Sequence, residues 1–343
     1  MKRTEQAKSK GKHIRVFNRL LGIVVALMLI LLGVIGFLFY QQERELDLSE
    51  AFQPEKELNL NPESAGRAEA FAADLCVSPE YVAREGVALT SGNEKALLFN
   101  LETGESLFAQ NIYSQAYPAS ITKIMTAILA LEKGDMGDSV TITREDLDLE
   151  EGSQMSGLAA GDQVTMDQLF HSLVVYSAND AAMAIARHIG GTVENFVDMM
   201  NQKAGELGMT GTHFANPHGL HQEDHYTTAY DVYLMLNYAS KNQKFMDTAH
   251  LSSYTLETAG SEDGSGRTLY LSSTDQYLTG VQNPPEGVTV LGGKTGTTPE
   301  AGSNLAILAQ NAYGVPYMAV IMNAPYGAAL YGDMNLLLQQ INS

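Results

Sequence analysis

Pro118-Ala119-Ser120-Ile121-Thr122-Lys123-Ile124-Met125-Thr126-Ala127-Ile128-Leu129-Ala130-Leu131-Glu132 is the stretch from which the rest of the chain can be read. Its run of Ile, Met, Ala and Leu predicts a helix over residues 121–132, opened by Pro118-Ala119-Ser120. Ser120 stands at the helix start. Lys123, three residues on, lies on the same face, so its ammonium can reach the serine hydroxyl. A helix start also carries unpaired backbone N–H groups and the positive end of the dipole, which suits an oxyanion. Serine is equally a common helix cap, so this pair alone does not establish chemistry.

Two further triplets extend the pattern. Ser177-Ala178-Asn179 falls in a short break between two apolar segments, residues 166–176 and 181–189, where polar side chains can project into a cleft. The competing reading is a plain interhelical turn with Asn179 or Asp180 as cap. Lys294-Thr295-Gly296 follows Val288-Thr289-Val290-Leu291 and two glycines. A lysine on a strand edge among glycines lets a ligand lie against backbone, whereas a solvated lysine in a glycine-rich turn is the plain alternative. Decoys exist. Ser9-Lys10-Gly11-Lys12 repeats the first spacing in a basic tail, and Ser91-Gly92-Asn93 and Ser240-Lys241-Asn242 repeat the second. We read the last of these as loop, with no apolar helix on its C-terminal side.

Around the motifs, apolar runs at 95–100 and 106–110 read as a hairpin. Residues 138–165 read as irregular, and 193–207 as a helix. Strand-like runs follow at 287–291, 303–310 and 316–323, and residues 333–341 read as a closing helix. Strands at both ends with helices between them predict one α+β domain whose sheet joins the two ends of the chain.

The 343 residues carry a formal charge of −19, unevenly spread. Residues 1–19 hold seven bases and one acid, and the remainder carries −25. A body of that charge repels a nucleic-acid backbone, so no nucleic-acid partner is expected. Residues 20–40 contain no charged side chain, and as a helix they are long enough to span a bilayer. The run is longer than a signal peptide's apolar region and leads into Gln41, Gln42 and Glu43, so we expect a retained anchor. The basic flank places residues 1–19 in the cytoplasm and the body on the extracytoplasmic face of the cell membrane. Residues 41–85, with eleven acids and four bases, read as an acidic stalk, leaving residues 86–343 for a domain with one sizeable core. The single cysteine, Cys76, excludes an intramolecular disulfide and a cysteine-based zinc site. It reads as an ordinary buried side chain.

Taken together, the three motifs resemble those of the active-site serine penicillin-binding and β-lactamase superfamily. The chain is most similar to the serine D-alanyl-D-alanine carboxypeptidases, the low-molecular-mass penicillin-binding proteins. Residues 118–126 look like that family's nucleophile helix. Asn216-Pro217-His218-Gly219-Leu220 and His225-Tyr226-Thr227-Thr228-Ala229 also look like its segments. The likeness runs from about Lys95 to about Asn323. Ala178 stands where the family usually has glycine, and the 47 residues after Gly296 are expected to hold the last strands and a helix, not the β-rich second domain and C-terminal anchor of many members.

The resemblance implies a β-lactamase/transpeptidase-like fold: an antiparallel sheet of about five strands, flanking helices and a helical lobe. It implies removal of the terminal D-Ala from peptidoglycan stem pentapeptides, inhibition by β-lactams, and no metal or cofactor. Ser120 would be the nucleophile and Lys123 its base, if burial and the charge of Lys294 keep it neutral. Ser177 would relay a proton to the leaving amine, and Asn179 would hold Lys123 and the substrate amide. Lys294 would attract the terminal carboxylate, with Thr295 or Thr297 adding a hydroxyl beside Gly296. The backbone N–H groups of Ser120 and Thr297 would form the oxyanion hole.

Three alternatives stand beside this reading. A β-lactamase needs a deacylating glutamate, and neither Glu194 nor Glu206 heads an E-x-x-L-N pattern. A metal hydrolase could use His218, His221 and His225, but Pro217 and Gly219 bracket the first and no H-E-x-x-H occurs. A non-catalytic wall-binding protein of the same fold is not favoured by three intact motifs.

Overall fold

The computed structural model describes residues 75–260 and 266–342. The expected membrane span at 20–40, the basic tail before it and nearly all of the expected stalk lie outside the described residues. Among the described residues no helix is long and apolar enough to cross a membrane.

The first hairpin lies where the sequence predicts it, as β1 (Lys95–Asn100) and β2 (Ser106–Gln110). Its turn is built by Asn100, whose Oδ1 accepts from the Glu102 and Thr103 amides at 2.9 and 3.0 Å, the local bonding that makes asparagine a turn residue. Chain order then runs through α1 (Lys123–Lys133), a short ribbon of β3 (Ser139–Thr141) and β4 (Gln163–Thr165), and α2 (Met166–His171). It continues with α3 (Asn179–Gly190), α4 (Val193–Glu206), α5 (Ala229–Ser240), α6 (Gln243–Ala249), and a second ribbon, β5 (Ser253–Glu257) and β6 (Thr268–Ser272). The last elements are β7 (Thr289–Thr298), β8 (Gly302–Gln310), β9 (Pro316–Ala324) and α7 (Gly327–Gln339).

β2, β1, β9, β8 and β7 form one five-stranded sheet in that order, with every neighbour antiparallel. The N-terminal hairpin thus pairs with the C-terminal strands, and β7 is left on an edge. The two faces follow from strand alternation. Ala96 and Leu98 join Leu305, Ile307, Ala319 and Ile321 beneath Leu330, Met334 and Leu337 of α7. Phe99 faces the other way, its ring edge-on to Tyr233 of α5 with centroids 4.7 Å apart. The Tyr233 hydroxyl in turn accepts from the Cys76 amide at 2.7 Å. Cys76 is buried, and Val82 exchanges backbone hydrogen bonds with Ala109 of β2, so residues 76–82 lie against the sheet.

Several expectations need correcting. Residues 138–165 are not wholly irregular, because they contain the β3–β4 ribbon. The apolar segment 166–176 is α2 followed by one π-helical turn, Ser172–Tyr176. The expected strand at 287–291 runs on through Thr298, and the closing helix begins at Gly327, six residues before the position read from its apolar pattern. Ser240-Lys241-Asn242 does have a helix on its C-terminal side: Asn242 caps α6, accepting from the Phe245 amide at 3.3 Å. Short ribbons and a helix of seven residues offer too little periodicity to be read without their packing partners.

Glu94 enters β1 fully buried beside Asp333 of α7, whose carboxylate already accepts from the Thr90 amide and hydroxyl, each at 3.1 Å. Burial, and then the charge of Asp333, pushes the Glu94 carboxyl up to about 8. The folded state therefore holds a proton that the unfolded chain releases near pH 4.3 or so. Stability drains away as the pH rises between those values, because ionisation costs more in the folded protein. Glu94→Gln is expected to leave the melting temperature unchanged near pH 4 and to raise it progressively, relative to the unaltered protein, as pH approaches 8. A difference that stays constant across that range would show that ionisation of Glu94 is not the cause.

Candidate active site

Ser120 does not cap a helix. It is the second residue of a 3₁₀ turn, Ala119–Thr122, that runs directly into α1, and no side chain caps either segment. Residues 123–130 of α1 are buried on every side, as suits a helix without a polar face. Lys123 opens this interior helix and is itself 1 % exposed. Its Nζ lies 2.7 Å from Ser120 Oγ, 2.6 Å from Asn179 Oδ1 and 2.7 Å from the His218 carbonyl. Burial lowers its pKa well below the usual lysine range. The charge of Lys294 acts in the same direction, and Asp180 opposes both. An amine with two protein acceptors and one hydroxyl around it can donate to the first two and accept from the third.

Asn179 reaches this position through the chain path that precedes it. The π-helical turn ends at Ser177, which takes a left-handed conformation (φ 66°, ψ 34°). Ala178 then starts α3 in extended conformation (φ −66°, ψ 128°), so a side chain at this position is unstrained and glycine is not required. Of the interhelical-cap alternative, the Asn179 part does not hold, since Asn179 Oδ1 is engaged by Lys123, whereas Asp180 Oδ1 does accept from the Ala181 amide in the first turn of α3 at 2.9 Å. Asp180 also fastens the overlying loop, accepting from the Ser156 amide and hydroxyl at 3.0 and 2.7 Å. Ser177 is buried at the same bend. Among the described residues with positive φ, only four are not glycine, and Ala119 and Ser177 are two of them. Strained backbone of this kind persists where surrounding structure holds it.

The third triplet lies within β7. A side chain at Gly296 would put its Cβ 2.8 Å from the Ser120 amide nitrogen and 2.9 Å from those of Ile121 and the Pro118 carbonyl oxygen. The absence of a side chain is therefore what lets the edge strand lie against the Ser120 turn. Thr297, exposed, pairs with Ser303, and an edge strand leaves alternate N–H groups without a strand partner. Lys294 is buried, and among the described residues its Nζ donates to the Thr295 carbonyl at 3.1 Å. Burial pushes it down to about 7, with Asp275 opposing. The Thr295 hydroxyl meets that of Thr274.

The sequence reading left out several contributors. The His218 carbonyl is one of the three oxygens around Lys123. Gly219 has φ +92°, and a Cβ there would meet the Ala119 carbonyl oxygen at 1.9 Å, so this loop is pressed against the Ser120 turn. Asn304 of β8 donates to the Tyr117 and Pro118 carbonyls at 2.9 and 3.0 Å, tying the same turn to the sheet. A carbonyl and a lone strand asparagine give no spacing signal. Two of the three histidines weighed as metal ligands are hydrogen-bonded to neighbouring backbone and side-chain groups. His225 Nδ1 accepts from the Ala215 amide at 2.9 Å, which leaves Nε2–H to donate to the Thr122 hydroxyl at 2.7 Å. His218 Nδ1 accepts from the Leu220 amide at 3.1 Å. Burial drives both imidazoles down to about 3, so both are neutral.

A five-stranded antiparallel sheet with a serine–lysine pair beneath its edge strand defines the penicillin-binding, transpeptidase-type fold. The chain belongs to the peptidase S11 family, D-alanyl-D-alanine carboxypeptidase, whose model matches residues 84–326. It is 30 % identical over 248 residues to a D-alanyl-D-alanine carboxypeptidase of Streptomyces sp. K15, covering 69 % of this chain and 80 % of that protein. It is 38 % identical over 145 residues to DacF of Bacillus subtilis, covering 41 % of this chain and 37 % of that relative. The matched part thus spans little more than a third of the Bacillus protein's length. The crystal structure of the Streptomyces K15 DD-transpeptidase superposes with a TM-score of 0.67 at 27 % identity, over 75 % of this chain and 98 % of that one.

Gly296→Ala forces β7 away from the Ser120 turn. Displacement on the scale of an ångström is expected to slow acylation of Ser120 by about 100-fold, measured as the second-order rate of covalent labelling by benzylpenicillin. Labelling at the unaltered rate would show that this close approach is dispensable.

Proposed function

We propose that the protein is a serine-type D-Ala-D-Ala carboxypeptidase that acts through a Ser120 acyl-enzyme and is inhibited by β-lactams. The observation that carries this reading is the buried Lys123 amine, 2.7 Å from the Ser120 hydroxyl and pinned by two other oxygens. Neutral Lys123 donates to Asn179 Oδ1 and the His218 carbonyl, and its lone pair takes the Ser120 proton. Ser120 Oγ then attacks the carbonyl carbon of the penultimate D-Ala. The oxyanion is held by the Ser120 and Thr297 backbone N–H groups. The proton passes through Ser177 to the leaving amine, and D-Ala departs. Lys294, with Thr295 or Thr297, holds the terminal carboxylate. Water, activated by Lys123, releases the shortened peptide.

The likeness to a DD-transpeptidase supports a second reading for the last step, in which the amine of another peptide takes the acyl group. Product analysis with an added amine acceptor separates the two: free tetrapeptide marks hydrolysis, and an amide-linked product marks transfer. We further propose that residues 20–40 anchor the enzyme as a single span, with the catalytic domain on the extracytoplasmic face. The support is an uncharged run of 21 residues behind seven basic side chains.

A protein lacking residues 1–40, incubated with benzylpenicillin, is expected to gain one stable adduct by intact mass, mapped to Ser120. Ser120→Ala should abolish it, and an adduct that persists in that variant would sink the assignment. Rapid turnover of the drug would instead point to a β-lactamase. Lys123→Ala removes the proposed base and should slow acylation by about 100- to 10,000-fold. Because Lys123 must be neutral to act, the acylation rate of the unaltered protein should rise with pH through a midpoint well below the ordinary lysine range. A rate independent of pH would count against Lys123 as the base.

A further inference from the structure

Immediately after β6 the chain crosses between the two motif-bearing elements. The Thr274 amide donates to the Val175 carbonyl at 3.3 Å, two residues before Ser177, while the Thr274 hydroxyl meets that of Thr295, next to Lys294. Asp275 follows and is 3 % exposed. Its Oδ1 accepts from the Tyr277 amide at 2.9 Å and the Tyr331 hydroxyl at 3.4 Å. Its Oδ2 is buried without a hydrogen-bond partner. A carboxylate oxygen in that condition is costly unless a positive charge offsets it.

Burial raises the Asp275 carboxyl; the Tyr277 amide and the Tyr331 hydroxyl oppose that, and the charge of Lys294 adds to them. Lys294 stabilises ionised Asp275, and Asp275 is the one group that opposes the effect of burial on Lys294. They act across the interior and not as a contact pair, since no ion pair within 4.0 Å joins them. The other groups in this region work differently. Lys123 of α1 is repelled by Lys294, Asp180 of α3 acts on Lys123, and burial raises the Tyr277 and Tyr331 hydroxyls and keeps them neutral. With burial alone, Lys294 would shed its proton below its present midpoint of about 7.

We propose that Asp275 is a positioning residue that keeps Lys294 protonated while the cleft is empty, so that the substrate's terminal carboxylate meets a cation and not an amine. This rests on the role of Lys294 proposed above. It assigns the alkaline limit of substrate capture to a residue outside all three motifs. The arriving carboxylate adds a second negative charge beside Lys294 and completes what Asp275 begins.

Asp275→Asn keeps both hydrogen bonds to the Oδ1 position and removes only the charge. In the pH profile of acylation by benzylpenicillin, whose carboxylate serves as the probe, its alkaline limb is expected to move to lower pH. Each unit of displacement lowers the rate about tenfold on the alkaline side, while the acid limb, set by Lys123, stays in place. In a Lys294→Arg background, whose guanidinium does not titrate in this range, Asp275→Asn should no longer move the limb. A profile that is unmoved, lowered equally at every pH, or still shifted in the arginine background overturns the proposal. If Asp275→Asn does not fold, carbon NMR titration of the unaltered protein decides. The Lys294 side chain should show a second step at the Asp275 midpoint and the Asp275 carboxyl one at the Lys294 midpoint, and independent single steps overturn the proposal. Absence of any adduct in the unaltered protein would refute the carboxypeptidase reading instead, whereas normal labelling with coincident profiles refutes only the role of Asp275.

Discussion

A lysine side chain enclosed by protein is the constraint on which the rest of this structure depends. Lys123 opens a helix buried on all sides, so its amine cannot be satisfied by solvent and must find its partners in the fold. It finds them on three separate pieces of chain: Ser120 in the turn before its own helix, Asn179 at the start of α3, and the His218 carbonyl in the loop before α5. Each of those pieces is held by a further device. Asn304 ties the turn to the sheet, the left-handed Ser177 sets the path into α3, and Gly219 lets the loop press against Ala119. Burial also lowers the pKa of the amine. The enclosure that specifies the packing is therefore the same one that suits the side chain to accept a proton.

The second constraint is steric and involves backbone alone. Gly296 brings β7 to within van der Waals distance of the amides of Ser120 and Ile121, and only a residue without Cβ permits it. Because β7 closes the sheet at its edge, one side of this strand is committed to β8 and the other faces the Ser120 turn. Edge position, missing side chain and a neighbouring buried lysine meet at this strand. The cation is itself marginal, since Lys294 is held near neutrality by burial and supported across the interior by Asp275. The charge of Lys294 lowers the pKa of Lys123, and the two buried lysines have different opposing carboxylates, Asp180 for Lys123 and Asp275 for Lys294.

Much of this was legible in the sequence, for reasons that differ by element. The hairpin at β1 and β2 and helix α4 carry strong local patterns and well-defined turn or cap residues. The serine–lysine spacing needs only helical geometry. The extension of β7 through Lys294-Thr295-Gly296 was not legible, because glycines and threonines carry no apolar alternation and the strand exists through its pairing with β8. α5 and α6 were missed although Thr228 and Asn242 cap them, and the three histidines between residues 218 and 225 drew attention as ligands when two of them serve as acceptors for loop amides.

By itself the sequence determined the local chemistry. It placed a hydroxyl and an amine one helical turn apart, put small residues where backbones must meet, and carried enough apolar surface at both ends of the chain for one sheet. What only the tertiary structure decided was how those groups are solvated and charged. The protonation of Lys123 and Lys294, the choice of a carbonyl as the third partner of Lys123, and the influence of Asp275 on Lys294 all depend on distance and burial between segments tens to hundreds of residues apart. Electrostatic energy in a low-dielectric interior is set by those distances and not by the order of residues along the chain.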